Sequence, residues 1–265
     1  MEKAEKEKTS QPEIYPVINI PHIQNPNRFY AIPLLGFLAK LIVLIPVGIE
    51  LVVLWVVNFF VTMIINPFIV LVTGKYWKTA YEFNLGLMRL TAKTYYYVFG
   101  LTDKYPGFNF EIKDNYNLEM AYPENPNRFF AIPVLGGFVR IVLLIPYLIY
   151  SQVISYASNI GVFVSFVPVL FMGKYPESTY ELARDSVRVG MGGTAYMSGL
   201  SDKYPSFYIS MNHRGVKIIL IILGILAVLG NFSTGKSSKK STNYKFDNTN
   251  IQQYYPNVTI PQELQ

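Results

Sequence analysis

Residues 25–46 read NPNRFYAIPLLGFLAKLIVLIP, and residues 125–146 read NPNRFFAIPVLGGFVRIVLLIP. Self-similarity at a fixed spacing marks a structural unit built more than once. The likeness continues downstream. GKYWKTAYEF at 74–83 answers GKYPESTYEL at 173–182, and GLTDKYPGF at 100–108 answers GLSDKYPSF at 199–207. The spacing falls from 100 to 99 between Pro146 and Gly173, so the second copy is one residue shorter. The slip is expected near the Asn66-Pro67 and Val167-Pro168 breaks, because packed stretches of helix tolerate it poorly.

Each copy contains three apolar pieces. Phe29–Ile45 holds one cation, Lys40, and its counterpart holds Arg140. A span needs about 20 residues, so this short piece is expected to lie at the membrane interface, with Lys40 and Arg140 reaching lipid head groups. The second piece, 48–74, is long enough to span with tilt, and the glycines that close it and its counterpart, Gly74 and Gly173, fit a helix stop. The third, 76–101, is amphipathic and is expected to return across the membrane. Glu82 and Arg89 share one face of it, and Glu181 and Arg188 repeat them. Two parallel copies would pair Glu82 with Arg188 and Glu181 with Arg89.

Four stretches, 15–23, 108–114, 116–122 and 207–213, are rich in β-branched and aromatic residues. They are expected to form a small sheet capping one face of the bundle, with 108–122 as a hairpin. The C-terminal run VKIILIILGILAVLGNF at 216–232 is a further span. The expected fold class is a mainly α-helical integral membrane protein. It comprises two tandem helical repeats (an interfacial helix plus a helical hairpin each), a β-sheet cap and one C-terminal transmembrane helix. The expected divisions are a disordered tail at 1–14, repeat one at 15–108, repeat two at 109–214, the last span at 215–232 and a polar flexible tail at 233–265.

Composition agrees with hydrocarbon surroundings. Hydrophobic residues reach 51% and charged residues only 15%, against about 25% charged in globular domains. Tyrosine (21) and phenylalanine (18) supply rings suited to the bilayer boundary. With no cysteine, disulfides and thiolate metal sites are excluded. The two histidines, His22 and His213, lie outside the apolar runs. A net charge of +6 suits an anionic membrane surface; no nucleic-acid partner is expected. The N-terminus has no apolar run of the kind a cleavable signal requires, which favours a cytoplasmic sheet side.

The set formed by Arg28, Ile45-Pro46, Gly74-Lys75-Tyr76 and Thr102-Asp103-Lys104-Tyr105-Pro106 with Phe108 resembles the bacterial membrane family DUF4389. The second copy offers Arg128, Ile145-Pro146, Gly173-Lys174-Tyr175-Pro176 and Ser201-Asp202-Lys203-Tyr204-Pro205 with Phe207, so the resemblance implies two tandem copies over about residues 15–210. The chain departs from the family pattern at Trp77, Leu90 and Val189. The family has no assigned activity, so the resemblance implies an architecture in the bacterial plasma membrane and no chemistry.

No phosphate loop, zinc-protease motif or Ser-His-Asp set is present. Neither cofactor nor metal is expected, and the chain is not expected to be an enzyme. Asp103 and Asp202 sit where a short acid makes a turn. Arg28 and Arg128 are candidate head-group contacts. The chain is expected to be a non-enzymatic scaffold or accessory subunit of a membrane complex, meeting lipids and, through the β cap or C-terminal tail, protein partners. The alternative is a small transporter, channel or lipid-handling protein, its path lined by Glu50, Asn58, Gln152 and Asn159.

Overall fold

The computed structural model describes residues 16–32, 34–108, 117–210 and 213–234. The two tails and the centre of the expected 108–122 hairpin lie outside these. Each half opens on Asn-Pro-Asn, where Asn27 and Asn127 cap short 3-10 turns, Arg28–Ala31 and Arg128–Ala131, by accepting the N–H of Phe29 and Phe129 on their side-chain oxygens. The chain then reverses through Leu34 and Val134, both at positive φ (66° and 63°). In the second half the N–H of Leu135 bonds the carbonyl of Pro133 at 2.7 Å, closing a three-residue turn. Such backbone costs about 1–3 kcal/mol. It brings Gly36 and Gly136 so close to the carbonyls of Tyr30 and Phe130 that a Cβ at either would collide with them.

Helix α1 (Leu35–Phe60) continues through a π-helical turn, Val61–Ile65, into α2 (Asn66–Thr73). The separate interfacial helix expected at Phe29–Ile45 is therefore corrected: it and the following span form one rod, as they do in α4 (Leu135–Met172). Pro46 and Pro146 sit inside these helices. Each removes one backbone bond, and the helix runs on through it. The π turn accommodates the extra residue of the first copy. Before it, buried Asn58 matches buried Ser158 at a spacing of 100; after it, Asn66 matches Ser165 and Val70 matches Val169 at 99.

The core is built by α3 (Lys78–Val98) and α5 (Glu177–Met197), which bury Leu87, Met88, Tyr96, Leu182 and Val187 among others. Each folds back on the long helix before it, so the end of α3 returns to the start of α1 and the end of α5 to the start of α4. Between halves the ends are exchanged. The Arg28 guanidinium lies against Gly173 at the end of α4, and that of Arg128 against Gly74 at the end of α2. The long helices are therefore antiparallel, which corrects the parallel copies expected when Glu82 was paired with Arg188 and Glu181 with Arg89.

The expected cap is also corrected. Among the described residues the sheet has two strands, β1 (Val17–Asn19) and β2 (Asn117–Glu119), paired antiparallel with Ile18 opposite Leu118. It lies along the helices, with Arg89 of α3 donating to the carbonyl of Leu118 and Tyr81 to that of Met120. Residues 207–210 are extended but form no strand. The β-branched pattern of these stretches reflects a position between amphipathic helices, where their backbone finds side-chain donors. Last, α6 (Arg214–Thr234) packs on α4: Leu220 meets Gly161, and Gly224 sits against Val153 and Ala157 with no room for a Cβ. The compact body ends at Leu229, within α6.

Among the described residues three helices are long and apolar enough to cross a membrane: Leu35–Thr73, Leu135–Met172 and Arg214–Asn231. The first, at 39 residues, is about 58 Å long, against a hydrocarbon layer of about 30 Å.

Candidate functional site

The end of a helix leaves carbonyls without partners. In each half a cation from the long helix meets them. Lys40, 5% exposed, donates to the carbonyl of Tyr97 at 2.9 Å, near the rings of Tyr30 and Tyr97. Arg140, also 5% exposed, donates to the carbonyls of Tyr196 (2.7 Å) and Ser201 (3.1 Å), pairs with Asp202 and lies 4.5 Å from the centre of the Phe130 ring. Lys40 and Arg140, expected to reach lipid head groups, are thus buried helix-end caps. Asp103 and Asp202 accept the N–H of Asn27 and Asn127, each at 2.7 Å. The local turn is made instead by Thr102 and Ser201, which accept from Lys104 and Lys203.

A tyrosine from the opposite half closes each assembly. Tyr76 donates to the carbonyl of Ser198 (2.9 Å), and Tyr175 to that of Phe99 (3.1 Å). Burial raises both phenols above their ordinary range. The clefts beside them, lined by Arg140 with Tyr76 and by Lys40 with Tyr175, hold about 40 and 20 Å³, room for a few waters at most.

Of the other expected residues, Arg28 and Arg128 are exposed at the ends of the facing helices. The arginines of the expected ion pairs hold extended segments instead. Arg89 donates to Leu118 at 2.9 Å, and Arg188 to the carbonyl of Tyr208 at 2.8 Å with Asp185 3.5 Å away. Burial lowers the Arg89 guanidinium from its usual value. Glu82 is exposed and Glu181 half-buried. Asp185, 1% exposed on its side chain, accepts the N–H of Ser210 at 2.6 Å and its hydroxyl. The first half has Gly86 at that place, and this added acid was the available sequence signal.

Two larger cavities lie between the halves. One, of about 330 Å³, is lined by Thr91 and Tyr95 of α3, Ser151, Gln152 and Ser155 of α4, and Ser186 of α5. The second, about 340 Å³, is lined mainly by Phe59, Met63 and Met197, with Asn58 and Thr62. Trp55 and Thr194 border both. Of the four residues expected on a path, Gln152 and Asn58 line these cavities, one each; Glu50 and Asn159 line neither. Glu50 is half-buried, its Oε2 without a partner among the described residues. Among the described residues no three His, Asp or Glu cluster as metal ligands.

Residues 136–208, from the first turn of α4 to the extended segment after α5, match the sequence profile of the DUF4389 family, a domain of unknown function. No curated protein and no solved structure matches the chain.

Proposed function

We propose that the chain is a multi-pass protein of the bacterial plasma membrane, made of two inverted copies of one DUF4389 unit and acting as a non-enzymatic scaffold or accessory subunit. One observation carries the reading. The deeply buried charged side chains, Lys40, Arg140 and Asp185, all engage the chain's own backbone. A reaction centre or ion path needs polar groups aimed at something other than their own fold; these are used to tie helix ends and extended segments together. Duplicate Asn-Asp and Tyr-carbonyl contacts support the two-copy reading.

The test is purification from native membranes in mild detergent. The expected result is resistance to carbonate washing and a stoichiometric protein partner. Substrate-dependent flux through liposomes holding the pure chain, with no partner recovered, overturns the scaffold reading. A lipid-handling role is the second reading, favoured by the cavities between the halves.

A further inference from the structure

Trp55 and Ser155 are counterparts in the two copies, yet they border one cavity, so this cavity sits where the antiparallel long helices cross at mid-length. The interface between inverted units, near the middle of the bilayer, is where transporter folds place their ligands. Its walls are unequal. The second half contributes Ser151, Gln152, Ser155 and Ser186, where the first half has Leu51, Val52, Trp55 and Leu87. The fold accepts apolar residues at the matching positions, so the fold itself does not require the polar ones. Polar side chains in apolar helices are costly unless partnered. These four make no hydrogen bond to other described residues. Their donors and acceptors remain available, and among the described residues no charged side chain lines either cavity.

The adjoining cavity supplies the complement. Past Trp55 and Thr194 the lining turns to Phe59, Met63 and Met197. A hydroxyl-lined chamber of pocket size opening beside an apolar one matches a molecule with a polar head and a hydrocarbon chain. The absence of lining charge selects against phosphate, which seeks Arg or Lys.

We propose that these joined cavities bind an amphiphile with an uncharged, hydroxyl-bearing head of the acylglycerol class. The head bonds Ser151, Gln152 and Ser186; the chain lies against Phe59, Met63 and Met197. The inference rests on the membrane placement of the long helices and is independent of the scaffold reading. The probe is dioctanoylglycerol with brominated chains, titrated into the purified full chain in detergent. The signal is Trp55 fluorescence in a Trp77→Phe background; brominated dioctanoyl phosphatidate provides the same chains with an anionic head. Saturable quenching by the glycerol lipid is expected at about a tenth of the concentration the phosphatidate needs, or less. The triple variant Ser151→Leu, Gln152→Val, Ser186→Leu, which installs the first half's residues, raises the half-saturation about tenfold or more. Equal quenching by both lipids, quenching without saturation, or an unchanged curve in the triple variant overturns the proposal. If the triple variant does not fold, Gln152→Val alone is read instead, with about a threefold or larger rise in half-saturation expected and no rise overturning the proposal. Release of the chain by carbonate washing sinks the membrane placement separately.

Discussion

Helices α1 and α4 begin at the same strained turn and both rods end at a left-handed glycine, Gly74 or Gly173. They differ in what covers them. In the most apolar stretch of α4, 39% of the residues are buried, against 17% in the rod from Leu35 to Thr73. The cover on α4 is α6, which needs close approach, and α4 provides it with Ala157 and Gly161. The first half has Val57 and Val61 at the matching positions. The same backbone is thus written once for a helical neighbour and once for a bulky apolar surface left exposed. The division extends to the cations. Arg140 holds two carbonyls and an aspartate, whereas Lys40 holds one carbonyl.

The largest effect that tests this contrast is at the cations. Arg140→Leu leaves Asp202 and two carbonyls without their partner and costs about 3–5 kcal/mol; Lys40→Leu costs about 1.5–3 kcal/mol. Thermal unfolding in detergent reads both. Equal losses erase the asymmetry, and a loss below that of a surface variant at either position removes the helix-end role.

The next effect concerns the α6 seat. Ala157→Val installs the first half's residue beneath Gly224, where the nearest approach is already tight. Overpacking costs about 1–3 kcal/mol, and detaching α6 makes the chain after residue 213 easier to cleave. Unchanged stability and proteolysis mean that α6 does not rest on α4 in solution.

Much of this was legible before any coordinates. The long apolar helices, their glycine stops and the amphipathic α3 and α5 follow from hydropathy and period, which are local. The indel was placed at the Asn66-Pro67 break, within a few residues of the π turn, because packed stretches of helix tolerate a slip poorly. What was not legible depends on direction. Hydropathy carries no sign along a helix, so antiparallel and parallel copies read alike. Lys40 and Arg140 read as head-group anchors because an isolated cation in an apolar run has no visible partner. Their partners are carbonyls at the ends of α3 and α5, which no side-chain pattern announces. Pro46 read as a boundary because proline removes a backbone donor and crowds the turn before it. The sheet was overcalled because extended segments bonded by Arg89, Arg188 and Tyr81 share the composition of strands.

The paired tyrosines sharpen the comparison from the side where the halves agree. Tyr76→Phe and Tyr175→Phe each remove one hydroxyl-to-carbonyl bond across the halves and leave an acceptor unpaired. Each costs about 1 kcal/mol, and the two losses should match. Burial raises both phenols in the folded state, so the folded chain resists their ionisation while the unfolded chain ionises near pH 10. Their contribution is full below that pH and falls as pH climbs beyond it toward the folded values. Stability measured from pH 9 to 11 (about one unit either side of the free phenol) should decline, and less steeply in the double variant. A slope unaffected by the double variant assigns the decline to other groups.

The smallest effect is the most discriminating for the bare face. Val57 is 45% exposed on α1, where its counterpart Ala157 is fully covered. If lipid is the only neighbour, Val57→Ala trades protein–lipid contact for slightly more lipid and shifts stability by no more than about 0.5 kcal/mol. It should do so in detergent and in native membranes alike, because fluid chains refill the space of the two lost methyls without leaving a cavity. A protein partner seated on α1 cannot refill it. A loss clearly above 1 kcal/mol, an amount typical of a buried methyl deletion, seen in membranes but not in detergent, therefore places a helix on α1 after all. The first half would then be covered by another chain where the second is covered by α6.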